Sequence, residues 1–233
     1  MRSRTVGLVG GIVPESTVEY YRLIVSTYRQ RTHDGSYPSV IVNSIDMQRM
    51  LGHVEAGELE ELTAYLVGEV HRLERAGAAC ALLAANTPHI VFDDVRRRSP
   101  IPLISIVEAT CAAAEALGFE TLGLFGTRFT MQGQFYPAVF SRSGMTLAVP
   151  TAEDQEFIHD KYMNELVKGV FLPKTRDRLL AIVDRLKARE AIQALILGGT
   201  ELPLLLPEET ACGLPLLDTT QIHVGALVDW LLA

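Results

Sequence analysis

Two short polar loops carry the residues of this chain best suited to chemistry. Ala84-Ala85-Asn86-Thr87-Pro88-His89 follows the apolar run Cys80-Ala81-Leu82-Leu83, and Gly198-Gly199-Thr200-Glu201 follows Ala194-Leu195-Ile196-Leu197. An apolar run that stops abruptly at small and hydroxyl residues reads as a buried strand delivering a loop to a binding crevice. Further hydroxyls stand at Ser16-Thr17, Thr127 and Thr130. Hydroxyls and backbone N–H groups at strand-to-helix loops form a cradle for a carboxylate, and the same residue types also cap helices. The titratable groups near these loops are Glu15, Asp46, His89, Glu201, Asp218 and His223. His89 titrates near neutrality and suits proton transfer, or it holds its own loop by hydrogen bonding. Glu201 either moves protons or accepts backbone N–H bonds at a helix start. Asp218 is expected to cap or orient neighbouring loops, and His223 to hold two halves of the molecule together.

The elements that must position these loops alternate along the chain. Strands are expected over 5–9, 38–44, 79–84, 102–106, 121–126, 146–149, 193–198 and 215–217. Helices are expected over 15–31, 54–76, 107–117, 131–143, 154–168, 174–190 and 221–232. Within 54–76, Leu59, Leu62, Leu66, Val70 and Leu73 recur at three- and four-residue intervals, an amphipathic stripe. Strand–helix alternation of this kind predicts an α/β fold with parallel sheets covered by helices. A weak repeat adds to it. Thr5-Val6-Gly7-Leu8-Val9-Gly10-Gly11 matches Thr121-Leu122-Gly123-Leu124-Phe125-Gly126-Thr127 at an offset of 116, and Ala85 precedes Gly199 by 114. The matching offsets suggest a duplicated α/β unit.

The bulk properties are those of a globular protein: 233 residues, 48% hydrophobic and 21% charged. A net charge of −7 argues against a nucleic-acid partner. Arg96-Arg97-Arg98 before Pro100 reads as a solvated helix end. Met1-Arg2-Ser3-Arg4 leads straight into the first apolar run, which is too short for a signal-peptide core or a membrane span. Three cysteines without metal-ligand spacing fit reduced thiols and a cytoplasmic location.

Six ordered segments resemble the aspartate/glutamate racemase superfamily. Gly7-Leu8-Val9-Gly10-Gly11-Ile12-Val13-Pro14-Glu15-Ser16-Thr17 with Tyr20-Tyr21 is similar to its opening segment, and Leu124-Phe125-Gly126-Thr127-Arg128-Phe129-Thr130 to its LLGTxxT loop. Gly144–Pro150, Glu165–Gly169, Leu197–Leu205 and Leu217–His223 complete the series. The resemblance implies two Rossmann-like subdomains, 1–103 plus 215–233 and 104–214, related by a pseudo-twofold axis with the site in the cleft between them. It also implies a small carboxylate substrate, no pyridoxal phosphate, metal or nucleotide cofactor, and a homodimer as the assembly, for which the 15–31 helix face could serve.

The departure from the family lies in the two loops. They resemble its CNT(x)H and GCTE signatures, and Ala85 and Gly199 stand where the family has its catalytic cysteines. Cofactor-free racemisation takes a weakly acidic proton from one face of Cα and returns one to the other, so it needs two acid–base groups. A thiol with a reference pKa of about 8.5 can serve; a methyl group or a hydrogen cannot. Cys80 lies roughly 16 Å back along its strand at about 3.3 Å per residue, while Cys111 falls in a helix and Cys212 in a loop. No thiol substitutes. The two-cysteine mechanism is therefore unavailable to this sequence.

The expected site consists of Ala85, Gly199, His89 and Glu201 at the catalytic positions. Ser16, Thr17, Asn86, Thr87, Thr127, Thr130 and Thr200 form the cradle, and Gln48, Arg49 or Lys168 hold a distal carboxylate. Three readings follow: an isomerase or lyase with altered acid–base equipment, a binding protein that keeps the cradle, or an ordinary racemase stripped of its thiols. Cysteine at both 85 and 199 is expected to produce slow racemisation of an acidic amino acid.

Overall fold

The apolar runs form two sheets whose parallel strands share one order, the second with an added antiparallel edge strand. A computed structural model describes residues 4–233, and residues 1–3, read above as the lead-in to the first strand, lie outside the described residues. The chain divides into two compact units, one running to Ile106 and resuming at His223–Ala233, the other spanning Val107–Ile222.

The first unit contains β1 (Thr5–Gly10), α1 (Pro14–Thr32), β2 (Ser39–Ser44), α2 (Met47–Ala56), α3 (Leu59–Arg75), β3 (Cys80–Leu83), α4 (Phe92–Arg98) and β4 (Leu103–Ile104). Its four strands run in the order β2-β1-β3-β4, all pairs parallel. The continuous burial of β1 and β3 is what a sheet covered on both faces requires. Val6, Leu8 and Leu82 pack with Tyr20 and Ile24 of α1 and with Val224, Leu227 and Val228 of the C-terminal helix.

The second unit begins within α5 (Ile106–Ala116). It continues through β5 (Thr121–Gly126), α6 (Arg128–Gln132), α7 (Phe135–Phe140), β6 (Thr146–Ala148), α8 (Ala152–Asn164), α9 (Pro173–Glu190) and β7 (Ala194–Gly198). It closes with α10 (Leu202–Leu205), β8 (Thr210–Ala211), β9 (Leu214–Asp218) and the start of α11 (Thr219–Leu232). Its strand order is β6-β5-β7-β9-β8, with only the β8–β9 pair antiparallel. The order around β5 thus repeats the order around β1. The register agrees as well, since Val9 lies opposite Leu83 in the first sheet and Phe125 opposite Leu197 in the second. These are the residues that the offsets of the sequence repeat equate.

Several expected boundaries move. The units divide after Ile106 and Ile222 rather than after 103 and 214, because β9 hydrogen-bonds to β7 and so keeps its segment in the second sheet. The single helix expected over 54–76 is two, α2 and α3, broken at Gly57 with φ 70°; the left-handed region costs glycine little and ends a helix cleanly. Leu62, Leu66, Val70 and Leu73 of the expected stripe are buried, whereas Leu59, in the first turn of α3, is exposed. The 131–143 helix is likewise α6, α7 and a 3-10 turn (Ser141–Ser143). The arginines closing α4 pair with Asp93, Asp94 and Glu60 at the surface, as a solvated helix end should. Among the described residues no helix is long and apolar enough to cross a membrane.

Candidate active site

In the first unit, β1 and β3 lie side by side and release their loops at the same sheet edge. The β1 loop leads to Ser16 and Thr17 in the first turn of α1. Ser16 Oγ donates to the Val13 carbonyl at 2.9 Å, while Thr17 Oγ1 donates to the same carbonyl and accepts the Gly11 N–H at 2.8 Å. Both hydroxyls therefore shape the turn they belong to. The β3 loop holds Ala85, Asn86, Thr87 and His89, all buried, and winds into a 3-10 turn over Thr87–Val91.

His89 fastens that loop. Its Nε2 accepts the Ile106 N–H at 3.2 Å, which leaves Nδ1 protonated to donate to the Ala85 carbonyl at 3.0 Å. The ring stacks on Phe92 with centroids 4.7 Å apart. Burial above all, then the neighbouring His223, lowers its pKa to about 3. A neutral imidazole with both nitrogens on backbone is a loop anchor, and the proton-carrier role expected of His89 finds no free ring nitrogen here. His223 resembles it: Nε2 donates to the Ile104 carbonyl at 2.9 Å, Nδ1 accepts from the Tyr20 hydroxyl at 3.0 Å, and burial lowers the pKa to about 4. With the division after Ile106, both of these His223 bonds lie within the first unit.

The second unit repeats the layout with different contents. Thr127 and Thr130 follow β5, the Thr130 N–H donating to Thr127 Oγ1 at 3.3 Å to cap α6. The neighbouring strand β7 ends at Gly198 and is followed by Gly199, Thr200 and Glu201, the last two buried. Glu201 does not cap α10 with its side chain. Instead Oε1 accepts the Thr200 hydroxyl at 2.9 Å, and Oε2 accepts the hydroxyl of Tyr162.

Tyr162 is the residue that sequence reasoning missed. It projects from α8 on the buried face that carries Gln155 and Ile158, and is 5% exposed. A Cβ placed on Gly199 would lie 2.4 Å from Tyr162 Cε2, 2.8 Å from its hydroxyl oxygen and 2.9 Å from Cζ. The ring therefore fills the space that a side chain at 199 would take. Cysteine at 199 cannot enter without displacing it, which revises the expectation that two cysteines suffice to create a racemase. The only advance signal was a tyrosine on the inner stripe of a helix, where its hydroxyl must find a partner.

The remaining expected residues are less engaged. Gln48 and Arg49 lie exposed in the first turn of α2, which Asp46 caps through the Gln48 N–H at 2.8 Å. The Arg49 guanidinium rests 4.3 Å from the Tyr65 ring centre. Lys168 is exposed after α8 with its ammonium 3.4 Å from Asn164 Oδ1. Asp218 Oδ1 accepts the N–H groups of Thr220 and Gln221, the capping role expected of it. No thiol is poised for proton transfer: burial pushes Cys80 up to about 12 and Cys212 up to about 11, and raises Cys111. Among the described residues no group of three or more His, Cys, Asp or Glu side chains is arranged to hold a metal ion.

The same fold occurs in known proteins. The family model for Asp/Glu/hydantoin racemases matches residues 9–227. A structure described as a putative Asp/Glu racemase from Yersinia pestis is 30% identical, covers 99% of this chain and 100% of its own, and superposes with a TM-score of 0.89. An aspartate racemase homologue from Pyrococcus horikoshii is 31% identical over 99% and 100% of the two chains, with a TM-score of 0.84. The broad specificity amino-acid racemase RacX of Bacillus subtilis is 22% identical over 98% of each chain. Sheet order, loop chemistry and these matches across nearly the whole length place the chain in the Asp/Glu/hydantoin racemase family.

Proposed function

We propose that the protein removes and returns a proton at the α-carbon of a small amino or dicarboxylic acid, without a cofactor and by a route other than two thiols. One observation supports this above the others. In each unit two adjacent parallel strands end in loops rich in hydroxyls and small residues, Ser16-Thr17 with Asn86-Thr87 and Thr127-Thr130 with Thr200. Such strand ends suit a carboxylate, whose charge the backbone N–H groups and hydroxyls neutralise. An α-carbanion conjugated to that carboxylate is an enediolate, so the same groups would also stabilise the intermediate. With Ala85 and Gly199 at the thiol positions, isomerisation by two opposed thiols gives way to chemistry that needs fewer proton carriers, including decarboxylation of a lyase type. Arg49, Gln48 or Lys168 would meet a second carboxylate.

The test is proton exchange in deuterium oxide. Aspartate, glutamate and methylmalonate are incubated with the protein, and deuterium at Cα is followed by NMR, alongside thermal shifts with the same acids. Exchange well above the protein-free rate is expected. A second reading, a carboxylate-binding protein, draws on the engagement of both nitrogens of His89 with backbone. Thermal stabilisation by an acid with no exchange and no loss of carbon dioxide would decide for it.

A further inference from the structure

Gly199 and Tyr162 are complementary. One has lost a side chain where the family has its thiol, and the other fills the resulting space with a ring. Filling alone would be served by phenylalanine. Tyrosine brings a hydroxyl, which stands 2.8 Å from the position a Cβ at 199 would occupy and donates to the carboxylate of Glu201, a residue with 0% exposure. Glu201 in turn is held by the Thr200 hydroxyl at 2.9 Å. An ionisable pair stands beside the position where the sequence resemblance expects a thiol.

We infer that Tyr162 and Glu201 together replace the second thiol, the phenol exchanging a proton with the substrate α-carbon and the carboxylate holding the proton that the phenol passes on. The inference rests on the α-carbon chemistry proposed above. The forward step balances as follows. The Cα–H proton moves to the phenol oxygen as the phenol proton moves to Glu201, and the C–H electron pair remains on the substrate as the enediolate. One negative charge thus leaves the carboxylate and appears on the substrate, and Tyr162 ends neutral as it began. The reverse step returns the proton. A relay suits this phenol, because burial and the adjacent Glu201 carboxylate hold its ionisation well above the usual range, so a free phenolate is avoided. The first unit offers only the Ala85 methyl group at its thiol position. The couple acting alone must then reprotonate the face it deprotonated, so exchange proceeds with retention of configuration.

The experiment follows α-deuterium incorporation into L- and D-aspartate, L- and D-glutamate and methylmalonate, with chiral analysis of the amino acids. The native protein is expected to exchange without inversion. Tyr162→Phe, which keeps the ring, should lower the exchange rate at least about 100-fold, as loss of a general acid–base group does, while leaving the ligand-induced thermal shift intact. Glu201→Gln, which removes the acceptor of the phenol proton, should lower the rate as well; it also carries the test should Tyr162→Phe fail to fold. Exchange by Tyr162→Phe at the native rate, or a thermal shift lost together with activity, would overturn the relay and leave the α-carbon reading standing. Absence of exchange by the native protein with every acid would overturn both.

Discussion

The loop after β3 and the loop after β7 occupy equivalent positions in the two units, and what packs against each differs. At Ala85 the surroundings are tied to backbone: His89 bridges the Ala85 carbonyl and the Ile106 N–H as a neutral ring. At Gly199 a side chain from another helix enters, and a buried phenol–carboxylate pair results. Equivalent loops in a repeated fold diverge through what packs against them. The first unit holds a histidine bound to backbone, and the second a buried phenol hydrogen-bonded to a carboxylate.

The largest expected contrast is with pH. His89 and His223 both belong to the first unit, and their pKa values fall from 6.5 to about 3 and about 4. Unfolding therefore takes up protons below pH 6.5, so their contribution is complete above that value and is lost as pH falls toward 4. At pH 5 the loss is about 2 kcal/mol for each ring. Amide hydrogen exchange at pH 5 against pH 7.5 should show protection falling more in β1 and β3 than in β5 and β7. Equal loss in both sheets would break the comparison.

Next in size is Glu201→Ala. It leaves the buried hydroxyls of Tyr162 and Thr200 without this acceptor, at a cost of about 3 kcal/mol measured by urea unfolding. Stability unchanged to within the error of extrapolation would mean the pair is dispensable to folding.

Gly199→Cys follows, with an overpacking cost of about 2 kcal/mol, because its Cβ would meet the Tyr162 ring at 2.4 Å. Ala85→Cys extends an existing Cβ and should cost less. A double-mutant cycle with Tyr162→Ala should show favourable coupling of about 1 kcal/mol or more; additivity would refute the complementarity of 162 and 199. A cysteine at 199 accordingly needs a small residue at 162 to make room for it.

The smallest effect is expected at Arg49. Removing its exposed cation–π contact with Tyr65 should change stability by about 0.5–1 kcal/mol at most. If Arg49 meets a distal carboxylate, Arg49→Ala will weaken the thermal shift with aspartate more than with alanine.

Much of this was written in short-range pattern. The strands were legible because buried parallel strands are continuous apolar runs, and the repeat equated Val9 with Phe125 and Leu83 with Leu197, which the register bears out. Helix breaks at Gly57 and Gly133 escaped notice because apolar periodicity continues across them, while a single left-handed residue or a lost turn interrupts the backbone. The site was legible in part. Asp218 as a cap follows from its own neighbours in sequence, whereas Ile106, bound to His89 Nε2, and Glu201, bound to the Tyr162 hydroxyl, are 17 and 39 residues away from their partners.

The sequence by itself determined the α/β units, the loops that carry the site and the absence of thiols from them, since each is a matter of residue type and local period. Only the tertiary structure decided what surrounds Ala85 and Gly199. Shape complementarity and hydrogen bonding between residues remote in the chain are set by packing at ångström precision, and no local pattern encodes that. It drew Tyr162 to Gly199 and left Ala85 with a histidine bound to backbone.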